Sequence, residues 1–156
     1  AVRTSCMIAM IIGGAILFGR VMTLLEIPQK LTALIIDWQL SIFLFVLAMN
    51  ILMLALGCIL ETVSIILLTM PLVAPILQTL GIDPIWYAIV LTVNMEMALV
   101  TPPVGMNLYV INGLDKDIHM AEVIRGVTPF IILMGAFLVF TMLFPPMSTW
   151  LPSLMK

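Results

Sequence analysis

Residues 98–107 read ALVTPPVGMN, and this stretch decides how the chain around it can fold. Pro102 and Pro103 cannot continue a helix, because proline lacks a backbone N–H and its ring clashes with the preceding turn. The flanking residues are apolar enough for a lipid bilayer, and lipid cannot satisfy the backbone groups that such a break exposes. The stretch therefore predicts irregular backbone inside a membrane-embedded helix, buried by protein or facing a water-filled cavity.

The composition predicts an all-α, polytopic membrane protein. Of the 156 residues, 63% are hydrophobic and 9% are charged, whereas roughly 25% charged residues is usual in soluble domains. The net charge of -2 comes from 6 basic and 8 acidic residues, so it gives no indication of nucleic-acid binding. No nucleophile–base set, phosphate-binding loop or metal-ligand cluster is apparent, so we expect a lipid-embedded protein that is not an enzyme and has no organic cofactor.

Hydrophobicity divides the chain into five segments. They are a transmembrane helix in residues 1–27, an interfacial arm helix in 28–40, a re-entrant helical hairpin in 41–80 with its tip near 57–62, a discontinuous transmembrane helix in 84–115 broken at 101–105, and a last transmembrane helix with an interfacial tail in 119–156. Trp86 and Tyr87 are expected to anchor the discontinuous helix at the membrane interface.

The hairpin follows from length. Residues 41–80 contain almost no polar interruption, and as one helix they would be about 60 Å long, twice the hydrocarbon thickness. Two complete crossings would leave no residues for a loop, so the chain must bend within the membrane. Gly57 is the best pivot, since glycine accepts backbone angles that other residues avoid. Pro71 and Pro75 are expected to kink the second arm.

The hairpin tip and the helix break suggest chemistry, because each leaves unpaired carbonyl and N–H groups where a helix ends. Carbonyl oxygens together with the Thr101 hydroxyl are hard ligands that suit an alkali cation such as Na⁺. The N-termini of half-helices attract a carboxylate. The pattern favours an ion-coupled carrier of an anionic solute, although a kinked structural helix could also contain it.

Other polar residues within the apolar segments are candidates for supporting roles. A carboxylate inside a membrane suggests a functional role by default. The alternative interpretation is that the side chain is neutral and hydrogen-bonded and has only a structural role. Asn50 and Asn94 are expected to form hydrogen bonds between helices rather than to contact a ligand, whereas Asn107 is a candidate for contact with a solute or with the break. The possible polar support consists of Glu61, Thr62, Asn94 and Glu96.

Five motifs occur in one order along the chain. They are NILMLALG at 50–57, ET at 61–62, PLVAP at 71–75, GIDP at 81–84 and TPPVG at 101–105. This series resembles the C-terminal half of the large membrane subunit of tripartite ATP-independent periplasmic (TRAP) transporters. The resemblance implies one inverted-repeat half of an elevator-type carrier in the bacterial inner membrane. Na⁺ would drive uptake of organic acids, such as C4-dicarboxylates or sialic acid, delivered by a periplasmic binding protein, with a small membrane subunit as the second partner.

The resemblance also implies a sodium site. Its ligands would be backbone oxygens of Gly57, Ala98 and Val104, together with Thr101; the family usually has glycine where Ala98 stands, which a carbonyl ligand tolerates. The residues assigned to solute binding are Thr101, Pro102, Pro103 and Asn107. A second sodium site and much of the solute pocket belong to the first repeat, which we expect this chain, as part of a larger permease, to lack.

Two alternatives remain at this point. The chain could be a non-transporting helical subunit of a larger membrane complex, in which the prolines serve as kinks. It could also belong to a related sodium–dicarboxylate carrier that works without a binding protein.

Overall fold

The structure, a computed structural model, describes residues 2–38, 41–102, 105–114 and 119–155. Within these ranges every regular element is an α-helix, which confirms the all-α class. The helices are α1 Val2–Leu24, α2 Ile27–Asp37, α3 Ile42–Gly57, α4 Thr62–Thr79, α5 Pro84–Val100, α6 Met106–Leu114, α7 Met120–Leu143 and α8 Pro146–Leu154.

Three of these helices are long and apolar enough to cross a membrane, namely Ser5–Leu24 within α1, α4 and α7. Two further apolar helices, α3 and α5, are shorter. Large apolar side chains point outward, as Met10 and Ile132 do with 80% and 67% of their surface exposed. Such surfaces are stable when lipid covers them, and they confirm the prediction of a polytopic membrane protein.

The helices form two compact units. The first comprises Ala1–Phe45 and Glu61–Pro84, and the second comprises Val46–Leu60 and Ile85–Lys156. The first unit therefore contains α1, α2 and α4. The second contains most of α3 together with α5 to α8.

In the first unit, α1 packs against α4 at a glycine. A Cβ atom on Gly19 would lie 2.9 Å from the Pro71 Cβ and 3.0 Å from the Pro71 Cγ. The close approach of these two helices thus depends on a residue without a side chain, as is common between membrane helices. Helix α4 continues from Thr62 to Thr79 through both prolines.

This contact predicts opposite outcomes for two identical substitutions in α1. Gly19→Ala is expected to lower the thermal unfolding midpoint in detergent by about 2–12 °C, because overpacking against a rigid ring costs about 1–3 kcal/mol. Gly13→Ala is the matched control, because a Cβ there would meet nothing within 4 Å; alanine's better helix propensity should leave its midpoint unchanged or higher. Equal midpoints for the two variants would contradict the packing at Gly19.

A short connection joins α1 to α2. Glu26 adopts a left-handed conformation with φ of 56°, and its carbonyl oxygen accepts a hydrogen bond from the Lys30 N–H at 3.0 Å. Pro28 stands in the first turn of α2, where its missing N–H has no cost. Trp38 follows the helix and is 72% exposed. The interfacial position of this arm stays a prediction.

In the second unit, α5 is covered by neighbouring helices. Trp86 and Tyr87 are 6% and 3% exposed, so both side chains pack against protein; their position at the membrane interface stays a prediction. Trp86 Nε1 donates a hydrogen bond to the Thr141 carbonyl oxygen at 2.9 Å, and a Cβ on Gly135 would lie 3.8 Å from the Met97 Sδ. The start of α5 thus faces the end of α7, and the two helices run antiparallel.

The last predicted segment, residues 119–156, contains two helices in the described part of the chain. Helix α7 begins after His119, whose backbone N–H lies 3.4 Å from Glu122 Oε2 as its hydrogen-bond acceptor. Past α7, the proline-rich stretch forms α8, with Pro146 at its first position and Trp150 exposed. The sequence indicated an interfacial tail there without indicating a helix.

Candidate functional site

The membrane helix is interrupted at the Pro-Pro sequence. Helix α5 ends at Val100 and α6 begins at Met106. The α5 side closes with a hydrogen bond from the Thr101 N–H to the Ala98 carbonyl oxygen at 3.2 Å. The α6 side opens with one from the Leu108 N–H to the Gly105 carbonyl oxygen at 2.8 Å. Pro103 and Val104, which were assigned to the solute and sodium sites, lie outside the described residues.

Gly105 lies directly against the carbonyl end of α5. A Cβ atom there would lie 2.9 Å from the Thr101 carbonyl oxygen and 3.2 Å from that of Leu99. Gly105 is buried. The last carbonyl groups of a helix have no partner further along it, so backbone oxygens gather at this point. The sequence indicated Gly105 only as a helix breaker and missed this close contact.

The Thr101 hydroxyl belongs to the same end of α5. Its Oγ1 donates a hydrogen bond to the Met97 carbonyl oxygen at 2.6 Å. A hydroxyl donates once and has two lone pairs, and no described residue donates to either lone pair of Oγ1. Thr101 is half-buried, and Ala98 beside it is 1% exposed.

Gly57 is the last residue of α3 and is buried. After it, the Cys58 N–H still donates to the Leu54 carbonyl oxygen at 3.1 Å, four residues back, and the Ile59 N–H makes a tighter turn by donating to the Leu56 carbonyl oxygen at 3.0 Å, three residues back. The backbone thus leaves the helix at the residue that the sequence indicated as the pivot. Its assignment as a cation ligand stays a prediction.

Glu61 and Thr62 belong to the first unit, at the start of α4. Glu61 precedes the helix and is exposed, and its Oε2 accepts a hydrogen bond from Ser64 Oγ at 3.2 Å. Thr62 is the first helical residue and is half-buried. A carboxylate at this position interacts favourably with the positive end of the helix dipole, which is sufficient to explain Glu61 as a local support.

Asn50 and Asn94 connect α3 to α5. Asn94 is completely buried, and its Nδ2 donates hydrogen bonds to the Asn50 carbonyl oxygen at 2.8 Å and to Asn50 Oδ1 at 2.7 Å. Asn50 Nδ2 in turn donates to the Val46 carbonyl oxygen at 2.8 Å. The expected hydrogen bond between helices is confirmed, and the structure shows that Asn50 and Asn94 are each other's partners.

Glu96 faces away from this pair. It is exposed and lines a groove of about 780 Å³ between α5 and α7. The other lining residues carry mostly apolar atoms: Thr92, Val93, Leu133, Met134, Ala136, Phe137 and Phe140. Two residues along a helix correspond to about 200° of rotation, which explains why Glu96 and Asn94 point in different directions.

The remaining solute candidates flank the break. Pro102 is half-buried, and Asn107 lies in the first turn of α6 and is exposed. Asn107 is therefore accessible next to the N–H groups that open α6. Its contact with a solute stays a prediction.

The oxygen atoms near the break suit a monovalent cation. In the described parts of the chain, no three His, Cys, Asp or Glu side chains come together as metal ligands. The donors near Thr101 are neutral carbonyl and hydroxyl oxygens. Hard neutral oxygens bind an alkali cation without the carboxylate charge that Ca²⁺ sites use.

These features define a multi-pass helical membrane protein with an interrupted helix, the class in which membrane-embedded ion and solute sites occur. The family model described as "Tripartite ATP-independent periplasmic transporter, DctM component" matches residues 1–147. The chain belongs to this family. The resemblance read from the motifs is thereby confirmed, and the chain is a multi-pass component of a bacterial inner-membrane transporter.

Curated relatives agree with this assignment. The C4-dicarboxylate TRAP transporter large permease protein DctM of Rhodobacter capsulatus is 40% identical over 151 residues, covering 97% of this chain and 34% of the relative. The DctM protein of Vibrio cholerae is 36% identical over 153 residues, which cover 98% of this chain and 34% of the relative. The sialic acid TRAP transporter large permease protein SiaM of Vibrio cholerae is 29% identical over 153 residues, which cover 98% of this chain and 36% of the relative. The chain spans about a third of the length of these relatives.

Proposed function

We propose that the chain forms the second inverted repeat of a Na⁺-coupled TRAP permease that imports organic acids. The observation that supports this most is the interrupted helix, where Gly105 packs against two carbonyl oxygens and the Thr101 hydroxyl accepts no hydrogen bond from the described part of the chain.

In this proposal, one sodium ion is held by the carbonyl oxygens of Gly57, Ala98 and Val104 and by Thr101. Binding of the cation joins the tip of the hairpin to the end of α5. It thereby favours the arrangement that captures the solute, so the ion and the solute increase each other's affinity.

Transport follows an elevator movement. The hairpin in residues 41–80 and the discontinuous helix in 84–115 carry ion and solute across, while α1 and the arm helix α2 stay fixed in the bilayer. The Gly19–Pro71 contact between α1 and α4 is then a place where a fixed helix meets a moving one.

The solute is a carboxylate. The two relatives from Vibrio cholerae are named for C4-dicarboxylate and for sialic acid, and both of these solutes carry carboxylate groups. The first turn of α6 carries N–H groups that lack an i−4 partner within the helix, and it is the positive end of a helix dipole. Thr101, Pro102, Pro103 and Asn107 surround that end along the chain and would contact the solute.

The partners follow from the tripartite family: a small membrane subunit in the same bilayer and a periplasmic binding protein that delivers the solute. The test is uptake of labelled succinate and labelled sialic acid by the complete transporter in proteoliposomes. We expect uptake with an inward Na⁺ gradient and added binding protein, and none when K⁺ replaces Na⁺. Equal uptake in K⁺ would reject Na⁺ coupling. Full uptake without a binding protein would favour the related sodium–dicarboxylate carriers.

A further inference from the structure

Two buried asparagines each precede a predicted sodium ligand by the same number of residues in the sequence. Asn50 precedes Gly57 by seven residues in α3, and Asn94 precedes Thr101 by seven residues in α5. Seven residues are close to two helical turns, with a rise of about 10 Å and a rotation within about 20° of the starting face. Each asparagine therefore lies on the same helix face as the predicted ligand that follows it.

The hydrogen bonds of this pair define one position of α3 along α5. Asn94 Nδ2 reaches two acceptors of the same residue, the carbonyl oxygen and the Oδ1 of Asn50, at 2.8 and 2.7 Å. A shift of one residue along either helix is about 1.5 Å and would break both contacts. Asn94 is completely buried, so no water replaces the lost bonds and the shift costs about 1–3 kcal/mol.

The packing residues alone do not define this position. Val46 and Met53, which share the buried face of α3 with Asn50, are apolar and 0% and 1% exposed. Contacts between apolar side chains are not directional, so they permit small shifts along the helix axis. The two hydrogen bonds supply the directional element.

The other end of the Asn94 amide argues against a purely stabilising role. Its Oδ1 is buried and finds no hydrogen-bond partner among the described residues. An unsatisfied buried acceptor is unfavourable, and an apolar residue of similar size would avoid that cost. The asparagine therefore serves its donor contacts to Asn50 at the expense of stability.

We propose that Asn50 and Asn94 are a positioning pair that holds Gly57 level with Thr101 and so sets the geometry of the sodium site. This inference rests on the proposed function: in the proposed hairpin, α4 returns to the side on which α3 begins, so α5, which follows α4 after a short connection, starts on that side and runs in the same direction as α3. With α3 and α5 parallel, equal seven-residue offsets from a shared contact bring both ligands to the same depth. Neither asparagine touches the ion.

The test compares Asn94→Leu with Asn112→Leu in the complete transporter in proteoliposomes. Asn112, on α6, also has a buried Oδ1 without a partner among the described residues, so it controls for the removal of such an amide. Asn94→Leu is expected to raise the Na⁺ concentration for half-maximal uptake about tenfold, since a lost buried hydrogen bond changes affinity by about that factor. The half-saturating solute concentration at saturating Na⁺ should stay within about twofold. Asn112→Leu should leave both values unchanged.

A second pair of variants separates the hydrogen bond from folding. Asn50→Asp keeps the acceptors that Asn94 uses, whereas Asn94→Asp removes the donors, and both place a carboxyl in the same buried region. The Na⁺-dependent increase in thermal unfolding midpoint, which reports binding without transport, should persist in Asn50→Asp and require about tenfold more Na⁺ in Asn94→Asp.

The outcomes are distinguishable. If neither the uptake nor the thermal unfolding midpoint of the unsubstituted transporter responds to Na⁺, the proposed function is overturned, and the inference with it. If the unsubstituted transporter responds to Na⁺ and both Asn94→Leu and Asn94→Asp need the same Na⁺ concentration as it does, the inference is overturned and the proposed function is not.

Discussion

Replacing Thr101 with alanine is expected to raise the Na⁺ concentration needed for half-maximal transport by about tenfold to a hundredfold. The hydroxyl would contribute one of few oxygen ligands, and an interaction with a charged group is worth about 1.5–3 kcal/mol, where 1.4 kcal/mol is tenfold in affinity. Thr101 Oγ1 donates to the Met97 carbonyl oxygen at 2.6 Å, so the hydroxyl is already oriented before an ion arrives. The measurement is uptake by proteoliposomes as a function of Na⁺ at constant ionic strength.

Two further variants at Thr101 isolate the oxygen atom. Thr101→Ser keeps the hydroxyl and should stay within about threefold of the original value, while Thr101→Val keeps the shape without the hydroxyl and should behave like alanine. An Na⁺ response of the valine variant equal to that of threonine would remove Thr101 from the sodium site.

Gly105→Ala is expected to lower the maximal transport rate by about thirtyfold. A Cβ would lie 2.9 Å from the Thr101 carbonyl oxygen, which is backbone and cannot move as a flexible side chain does. The displaced backbone costs about 2 kcal/mol, and it carries the oxygen atoms that the proposed site uses. Transport should decrease without a comparable loss of folded protein, as judged by size-exclusion chromatography in detergent.

Gly113→Ala is the matched control for this prediction. Gly113 lies on α6, close in sequence to Gly105, and a Cβ there would meet nothing within 4 Å. Its transport rate should remain within about twofold of the original. If Gly105→Ala also transported at the original rate, the carbonyl cluster at the break would have no part in function.

The helices were largely predictable because their signals are local. Residues 41–80 exceed the length of one crossing, and the only suitable pivot lies where α3 ends at Gly57 and α4 starts at Thr62. Pro102 and Pro103 forbid a continuous helix, and α5 and α6 end and begin on either side of them. The hairpin and elevator movement that these features suggest stay proposals.

The partners of the side chains were less predictable. A tryptophan near a helix end is typical of the membrane interface, yet Trp86 is buried because the Thr141 carbonyl oxygen is available to its indole N–H. Asn94 was expected to bond another helix, but no local signal in the sequence identified Asn50 as its partner. The equal seven-residue offsets to Gly57 and Thr101 are visible in the sequence, but they indicate a pair only once α3 and α5 are known to touch.

The sequence by itself determined that this chain is an all-helical TRAP permease segment with an interrupted helix at 101–105, because hydrophobicity, length and proline act within a few turns of backbone. Only the tertiary structure decided which atoms meet: Gly105 with the carbonyl oxygen of Thr101, Gly19 with Pro71, and Asn94 with Asn50. The physical reason is that close contacts between helices depend on their relative rotation and height. Those quantities are set by the packing of the helices together, which no single segment encodes.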